Sequence, residues 1–214
     1  MPYDPETYWH NRGKDYRVAL DTTPGIDFLL DSVAMMLGHV EQAVKILEVG
    51  PGYGRILSAF KKKVVLSRGL FKAGVQFSTC DFVESMRVEC RRRTGVLPAA
   101  WDGDALPYPD DAFDLVISFS VALHVPPEKI RRFLDEHLRV AKTFLFVATV
   151  IDSVDPLASH CFIHDAEYIR MLQLFPPVDM RVFRYGNATH SDWMFDVSAK
   201  NQKGDAGKWL QTGM

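Results

Sequence analysis

The sequence alternates short apolar runs with amphipathic segments, and this alternation constrains the fold more than any other feature of the chain. A parallel neighbouring strand can be reached only through a long return connection, which a helix supplies. The pattern therefore predicts an α/β fold, Rossmann-like and doubly wound, with a mostly parallel sheet. The strand-like runs are 45–49, 74–80, 97–101, 112–118 and 143–150, and the helix-like segments between them are 53–63, 82–94 and 127–141.

The pattern changes at both ends of the chain. Residues 6–17 and 25–43 predict two helices ahead of the first strand. Residues 179–185 and 193–198 alternate apolar and polar side chains on either side of Gly186-Asn187, as the strands of a hairpin do. We therefore expect a seven-stranded sheet that ends in an antiparallel C-terminal hairpin.

Domain organisation follows from the absence of repeats and of a Gly- or Pro-rich linker. With 214 residues, 47% of them apolar, the chain is long enough to bury one large core. We predict a single domain over 1–214. Within it we expect an N-terminal helical cap or lid (1–43), a cofactor-binding core (44–150) and an acceptor-side segment with the edge hairpin (151–214).

Charge and cysteine content bound the partners and the compartment. The formal net charge is -2, so no global field attracts nucleic acid or an anionic membrane surface. The basic runs Lys61–Lys63 and Arg91–Arg93 are interpreted as solvated helix ends rather than as a polyanion-binding patch. Three cysteines without a Cys-x-x-Cys pair fit a reducing compartment. Without a signal-length or membrane-length apolar segment, we expect a cytoplasmic protein with no membrane or nucleic-acid partner.

A glycine-rich turn follows the first predicted strand, in the run Glu48-Val49-Gly50-Pro51-Gly52-Tyr53-Gly54. In open α/β sheets ligands bind beyond the carboxyl ends of the strands, so this turn is a candidate ligand site. The nicotinamide fingerprint needs a glycine where this chain has Arg55, which argues against a hydride-transfer enzyme. A P-loop needs Gly-Lys-Ser/Thr, which does not follow here. The distinguishing residue is a carboxylate, Glu48, two positions before the first glycine.

This combination resembles the class I S-adenosylmethionine-dependent methyltransferases, and within them a methyltransferase type 11-like domain. Their first motif has the form acidic-x-Gly-x-Gly-x-Gly. The resemblance continues at Thr79-Cys80-Asp81-Phe82, at the end of the second strand, and through 103–118, and it covers about 45–150. It implies a methyltransferase with S-adenosylmethionine as its cofactor.

Residue roles are implied by the same resemblance. Asp81 would bind the ribose hydroxyls of the cofactor, and Asp104 with the backbone of Ala105 would contact adenine. The 26 residues between Gly54 and Asp81 exceed the common spacing of about 20, which indicates a longer helix or loop there. The implied cofactor-binding residues are Glu48, Gly50, Gly52, Tyr53, Gly54, Asp81, Phe82, Asp104, Ala105, Ser118 and Phe119.

Methyl transfer is an in-line displacement, so the protein mainly has to orient the acceptor and exclude water. A hydroxyl acceptor needs a base, and His124, just past the fourth strand, is the candidate, with a packing role as the alternative. The relatives often use an aromatic N-terminal helix as a lid and acceptor wall, so Tyr8, Trp9 and Arg12 are candidate substrate-binding residues. The cluster His160 to Asp165 has no second half with metal-ligand spacing, so no metal is expected.

The acceptor is narrowed by missing motifs. An Asn/Asp-Pro-Pro-Tyr/Phe turn, typical of amino methyltransferases of bases or glutamine, is replaced by Ser118-Phe119-Ser120-Val121, and no Pro-Cys dipeptide occurs. We therefore predict O- or N-methylation of a small molecule or saccharide-type acceptor. A protein or RNA methyltransferase and a non-catalytic S-adenosylmethionine-binding module are the alternatives.

Overall fold

A seven-stranded sheet in the order β3-β2-β1-β4-β5-β7-β6 forms the centre of the molecule. The computed structural model describes residues 4–12, 24–37, 41–66, 74–153, 161–164, 174–185 and 187–201. The α/β fold class predicted from the sequence is confirmed. The strands are β1 Val44–Val49, β2 Val75–Asp81, β3 Ala99–Ala100, β4 Phe113–Phe119, β5 Ala141–Ser153, β6 Pro177–Tyr185 and β7 Ala188–Asp196; the helices are α1 Pro5–Arg12, α2 Pro24–Leu37, α3 Arg55–Leu66, α4 Glu84–Thr94 and α5 Ile130–Val140.

The five strands β1 to β5 are parallel to one another where they pair. Strand β7 runs antiparallel to both β5 and β6, so the C-terminal edge is the predicted hairpin. Short 3-10 turns at Ala122–His124 and Pro127–Lys129 lead from β4 into α5, and a third, Ser198–Asn201, follows β7. The topological switch lies between β1 and β4, which is where a doubly wound sheet opens a crevice for a ligand.

Both faces of the sheet are buried, because successive side chains of the central strands enter two different cores. In β1, Leu47 and Val49 pack in the core beneath α5, whereas Val44 and Ile46 pack in the core beneath α2 and α3. All four are at most 1% exposed. A strand buried on both faces appears in the sequence as a continuous apolar run, which is why β1 and β4 are recognisable there.

Several boundaries differ from the predicted ones. Helix α2 ends at Leu37 rather than at residue 43, and β3 shrinks to two residues. Strand β7 starts at Ala188, five residues before the predicted start. The prediction was wrong because polar residues in the first half of this strand are buried rather than exposed. Ser191 is 1% and Asp192 is 2% exposed, and Asp192 pairs with Arg181 at 2.9 Å. Strand prediction relies on the alternation of buried apolar and exposed polar residues, so a strand with buried polar residues is easily missed.

The N-terminal helices differ in their surroundings. Helix α2 contributes Leu29 and Val33 to the core beneath it, both fully buried. Helix α1 covers residues 5–12 of the predicted helix 6–17, and the rest of that prediction lies outside the described residues. The division into cap, core and acceptor-side segment stays a prediction. Among the described helices, none combines the length and the apolar character that crossing a bilayer requires.

Candidate active site

The glycine-rich turn joins β1 to α3 and uses its three glycines in different ways. All three have positive φ: 68° at Gly50, 55° at Gly52 and 83° at Gly54. A Cβ on Gly50 would lie 2.6 Å from Cγ2 of Val121, and one on Gly54 would lie 2.5 Å from Cγ2 of Thr94. A Cβ on Gly52 would meet only Sδ of Met86, at 4.0 Å. Gly50 and Gly54 therefore serve close packing, whereas Gly52 borders open space that a ligand can fill.

Asp81, at the end of β2, is bonded directly to this turn. Its Oδ2 accepts a hydrogen bond from the backbone N–H of Gly52 at 3.1 Å, and its Oδ1 accepts one from Val83 at 2.9 Å. The side chain is 4% exposed. Burial raises the pKa of Asp81 to about 6, against the lowering effect of these two hydrogen bonds and of Arg87. The long segment between Gly54 and Asp81 thus leaves the carboxylate beside the turn.

The Asp81 carboxylate keeps unused acceptor capacity. An ionised carboxylate offers about four lone-pair positions, and the two backbone N–H groups occupy two of them. The other positions suit two adjacent hydroxyl groups of a ligand. The acid at the end of β2 is therefore compatible with the ribose contact predicted for it, which stays a prediction.

Glu48, the penultimate residue of β1, is a second buried carboxyl group, only 3% exposed. Its pKa is raised to about 8, mainly by burial. Arg55 and a hydrogen bond from the backbone of Leu57 lower the pKa, and the nearby Asp81 raises it again. The two carboxyl groups lie at the ends of neighbouring strands, and both have raised pKa values. When they ionise, their negative charge favours a positively charged ligand nearby.

A cleft of about 520 Å³ opens over the carboxyl ends of β1, β2 and β4. Helix α1 contributes Tyr8 and Trp9 to its wall, and the Trp9 ring meets the His124 ring edge-on at 4.8 Å between centroids. Tyr8 contacts Trp9 in the same way at 5.1 Å. The N-terminal aromatic residues and the histidine after β4 therefore share one compartment with the glycine-rich turn.

The end of β4 supplies an aromatic floor. Phe119 lines the cleft and stacks on Phe146 of β5, with centroids 6.2 Å apart and planes 11° apart. The guanidinium of Arg55 lies over the Phe119 ring at 5.4 Å. Tyr53 also lines the cleft, is 3% exposed, and has the guanidinium of Arg93 at 5.0 Å from its ring centre. These contacts fix the rings by packing before any ligand enters.

Ten of the predicted site residues line this one cleft, although their individual roles stay predictions. Four others that the structure describes lie away from its lining. Gly54 packs against α4, Ser118 is fully buried in β4, and Asp104 and Ala105 are exposed on the loop after β3. Asp104 forms an ion pair with Arg132. The side chain of Arg12 lies outside the described residues. The ten in the lining are Tyr8, Trp9, Glu48, Gly50, Gly52, Tyr53, Asp81, Phe82, Phe119 and His124.

Several residues on the far wall of the cleft were not among those predicted from the sequence. Ser120 follows β4, Val150 belongs to β5, and Asn187 and His190 come from the hairpin. Cys161 lies in the short stretch 161–164, which is held to the loop after β4 because Phe162 N–H donates to Leu123 O at 2.6 Å. These residues are far apart in the sequence and share no spacing that could have singled them out.

The candidate metal cluster is not assembled in the part of the chain that the structure describes. Nε2 of His164 lies 2.8 Å from the backbone oxygen of Val125, which makes the ring a tether for that loop. His160 and Asp165 lie outside the described residues. No group of three or more metal-ligating side chains occurs among the described residues.

The comparisons with known proteins agree with this geometry. Residues 46–143 match the family described as methyltransferase domain. No curated protein matches the sequence. The family match and the fold together confirm the resemblance to class I S-adenosylmethionine-dependent methyltransferases.

Three solved structures illustrate the fold. Magnesium protoporphyrin IX methyltransferase (ChlM) from Synechocystis PCC 6803, with bound SAH, has a TM-score of 0.66 at 16% identity and covers 90% of this chain and 99% of its own. The 1,6-didemethyltoxoflavin-N1-methyltransferase of Burkholderia thailandensis has a TM-score of 0.63 at 16% identity, covering 89% and 84%. The [4+2]-cyclase SpnF has a TM-score of 0.59 at 18% identity, covering 79% and 80%. At these identities the likeness shows the fold alone.

Proposed function

Because residues 46–143 form a methyltransferase domain, we propose that the chain transfers a methyl group from S-adenosylmethionine to a small-molecule acceptor, at an oxygen or a nitrogen. The observation that supports this most is the single cleft that brings the glycine-rich turn, Asp81 and His124 together under α1. S-adenosylmethionine is the methyl donor. A saccharide-type compound remains within this class of acceptors.

The residues on the cofactor side fit the donor. Gly52 leaves room where a side chain would otherwise stand, and Asp81 retains the acceptor positions for the ribose hydroxyls. Glu48 and Asp81 place negative charge near a sulfonium when they ionise. We assign the adenine contact to the loop of Asp104 and Ala105, as the resemblance implies.

The size of the cleft favours a small acceptor. Pockets for drug-sized ligands span about 300–1,000 Å³, and the cofactor itself is a ligand of that size. A cleft of about 520 Å³ is in that range, which suits the cofactor together with a small-molecule acceptor better than a macromolecule. The two methyltransferases described above are named for small molecules, which supports the same class for this chain.

The alternative acceptors, protein or RNA, depended on the two basic runs. Arg91, Arg92 and Arg93 occupy the last turn of α4, where cations complement the helix dipole. Arg92 pairs with Glu89 at 2.6 Å, and Nζ of Lys61 donates to Thr94 O at 2.5 Å. The contacts of Lys61 and Arg92 with the protein favour the helix-end interpretation of the two runs over a polyanion-binding surface.

Bound S-adenosylmethionine would supply an electrophilic methyl group on a sulfonium. The protein orients the acceptor, keeps water away from the reacting atoms and provides a proton acceptor. Trp9 and Tyr8 add aromatic surface to the wall of the cleft, which would help to exclude water around a bound acceptor. Phe119, held by Phe146, supports the acceptor from below. His124 accepts the proton that a hydroxyl acceptor loses as its oxygen attacks. No covalent intermediate with the protein is needed.

Methyl transfer is tested with S-adenosylmethionine labelled in the methyl group. Purified protein is incubated with a metabolite extract, and in parallel with RNA and with protein fractions. We expect the label to appear in the small-molecule fraction, and Gly52→Val, run beside the wild type, to give none. Label in RNA or protein would replace the proposed acceptor class. Tight S-adenosylmethionine binding without labelled product in any fraction would favour a non-catalytic role, or a non-methylating reaction on this fold, of which the [4+2]-cyclase is an example.

Cofactor affinity should increase with pH. The pKa is raised to about 6 for Asp81 and to about 8 for Glu48, so each carboxyl is protonated below its own value and ionised above it. Because the ribose hydroxyls and the sulfonium prefer carboxylates, affinity should improve from pH 5 to pH 9, by up to about tenfold per pH unit below each pKa. Calorimetric titration measures the trend.

Two variants separate the contributions to this trend. Glu48→Gln should remove the part of the dependence between pH 6 and pH 8, and Asp81→Asn should remove the part below pH 6. The free protein should behave oppositely, because a raised carboxyl pKa favours the folded state most at low pH and this stabilisation is lost as pH rises through the folded-state value. An affinity that stays constant from pH 5 to pH 9 would contradict the assignment of both carboxyl groups to the cofactor.

A further inference from the structure

Ser120 has a backbone conformation that its residue type disfavours. Its φ is 58°, in the left-handed region, where residues other than glycine are uncommon and Asn, Asp and His are the usual exceptions. Asp111, with φ 53°, is the only other such residue in the part of the chain that the structure describes. A non-glycine residue held in this region at a ligand site is an observation that points to function.

Three neighbours hold Ser120 in this conformation. Its N–H donates to Ala148 O in β5 at 2.8 Å. Phe119 before it is stacked on Phe146, and Val121 after it closes against Gly50, leaving no room for a Cβ there. The backbone of Ser120 is therefore fixed from the β5 side and from the cofactor turn together, and its side chain is directed by that fixed backbone.

The side chain of Ser120 lines the cleft, and no described residue forms a hydrogen bond with its hydroxyl. Asp111 differs on both counts, since it lies outside the cleft and its carboxylate pairs with Lys200 at 2.8 Å. A strained residue that lines a ligand cleft and whose polar group has no partner among the described residues is a candidate for hydrogen bonding to the ligand.

The position of Ser120 indicates which ligand this is. The cofactor side of the cleft is formed by the turn and by Glu48 and Asp81. Ser120 stands at the boundary of that side, because its neighbour Val121 touches Gly50. Beyond it the 3-10 turn Ala122–His124 brings His124 into the same cleft, facing Trp9. Ser120 thus stands in the chain between the residue that packs on the cofactor turn and the turn that carries His124, and all of them line the same cleft. This is the part of the cleft where an acceptor would meet both the cofactor and the histidine.

The neighbouring wall restricts the acceptor further. Tyr8, Trp9, Phe119, Leu123 and Val150 contribute aromatic and aliphatic surface to it. The cation in the lining, Arg55, lies over the Phe119 ring at the start of α3 and acts on Glu48, on the cofactor side, and Asn187 and His190 add polar groups from the hairpin. An apolar wall disfavours a charged group, whereas a serine hydroxyl and an imidazole suit an uncharged polar one. The combination fits a compound with an apolar body and a hydroxyl group.

Building on the methyl transfer proposed above, we propose that Ser120 binds the methyl acceptor, and that the acceptor is a small hydroxylated compound whose reacting oxygen accepts a hydrogen bond from the Ser120 hydroxyl. The oxygen forms its bond to the methyl carbon while the sulfur–methyl bond breaks, and the bonding pair stays on sulfur, which becomes a neutral thioether. The hydroxyl proton goes to His124. The reaction needs no further reactant.

The test compares Ser120→Gly with Ser120→Ala. Glycine removes both the hydroxyl and the strain, whereas alanine removes the hydroxyl and keeps the strain. We expect both variants to lower kcat/KM for the hydroxylated compounds labelled in the metabolite extract by about tenfold, with a higher KM, and to leave S-adenosylmethionine affinity unchanged. Only Ser120→Gly should also raise the melting temperature, by about 2–4 °C.

Asp111→Gly is the matched control, because it relieves a similar backbone conformation outside the cleft and should keep wild-type turnover. Ser120→Gly with full turnover, or a melting temperature that does not rise relative to Ser120→Ala, would overturn the proposal. So would labelled products that carry the methyl group on nitrogen or carbon rather than as a methyl ether. These outcomes require an active wild type. A wild type that labels nothing refutes the proposed function itself, so the two failures are distinguishable.

Discussion

Gly52→Val is expected to abolish S-adenosylmethionine binding, with a loss of affinity of at least about 100-fold. The open space beside Gly52 is where the ligand approaches the backbone, and a branched side chain there would occupy it. Valine also tolerates the φ of 55° poorly. In the wild type, cofactor at 100 times its Kd should add about 2.7 kcal/mol of stability, and this thermal shift should disappear in the variant.

Gly95→Val is the matched control for this experiment. Gly95 ends α4 with φ 77°, and a Cβ there meets nothing within 4 Å, so the backbone strain is comparable while the cleft is untouched. The control should be destabilised and should still show the thermal shift with cofactor. Normal binding by Gly52→Val would remove the turn from the site.

His124→Gln is expected to lower turnover by about 10²-fold or more, with cofactor affinity nearly unchanged. Glutamine can keep a hydrogen bond and part of the contact with Trp9, but it cannot accept the acceptor's proton. Steady-state kinetics on the labelled compounds, together with calorimetry for the cofactor, measures both quantities. A general base reports as a loss of kcat rather than as a loss of binding.

The structural alternative for His124 is tested by His164→Gln. His164 tethers the same loop through Val125 O and is absent from the lining of the cleft. If this loop only needs its histidines for packing, both variants should lose stability to a similar degree and neither should lose catalysis selectively. Full turnover by His124→Gln would favour an N-methylation driven by proximity, and it would contradict the hydroxylated acceptor inferred from Ser120.

The sequence predicted the cofactor side of this molecule better than the acceptor side, for a physical reason. The residues predicted to bind the cofactor at the turn are close together in sequence at the end of one buried strand, so Glu48 to Gly54 form a recognisable motif. The opposite wall is assembled from Val150, Cys161 and His190, which come from separate segments. Nothing in their local sequence indicates that folding brings them to one cleft.

The same contrast applies to the fold. Strands β1 and β4 are recognisable because both of their faces enter apolar cores. The start of β7 is obscured by the buried polar residues Ser191 and Asp192, and Asp192 is paired with Arg181 in another strand. An ion pair between strands depends on the tertiary structure, and the hydrophobic periodicity of one segment cannot predict it.

The three glycines of the turn should be conserved for different reasons in proteins that descend from this chain. Gly50 and Gly54 face protein atoms, Val121 in one case and Thr94 with Cys90 in the other, so drift at either position is opposed by selection for folding. Gly52 faces open space in the cleft. A descendant that no longer uses the cofactor could replace Gly52 while it keeps Gly50 and Gly54. Such a pattern would distinguish a folded protein that has lost cofactor binding from a sequence that is no longer selected for folding.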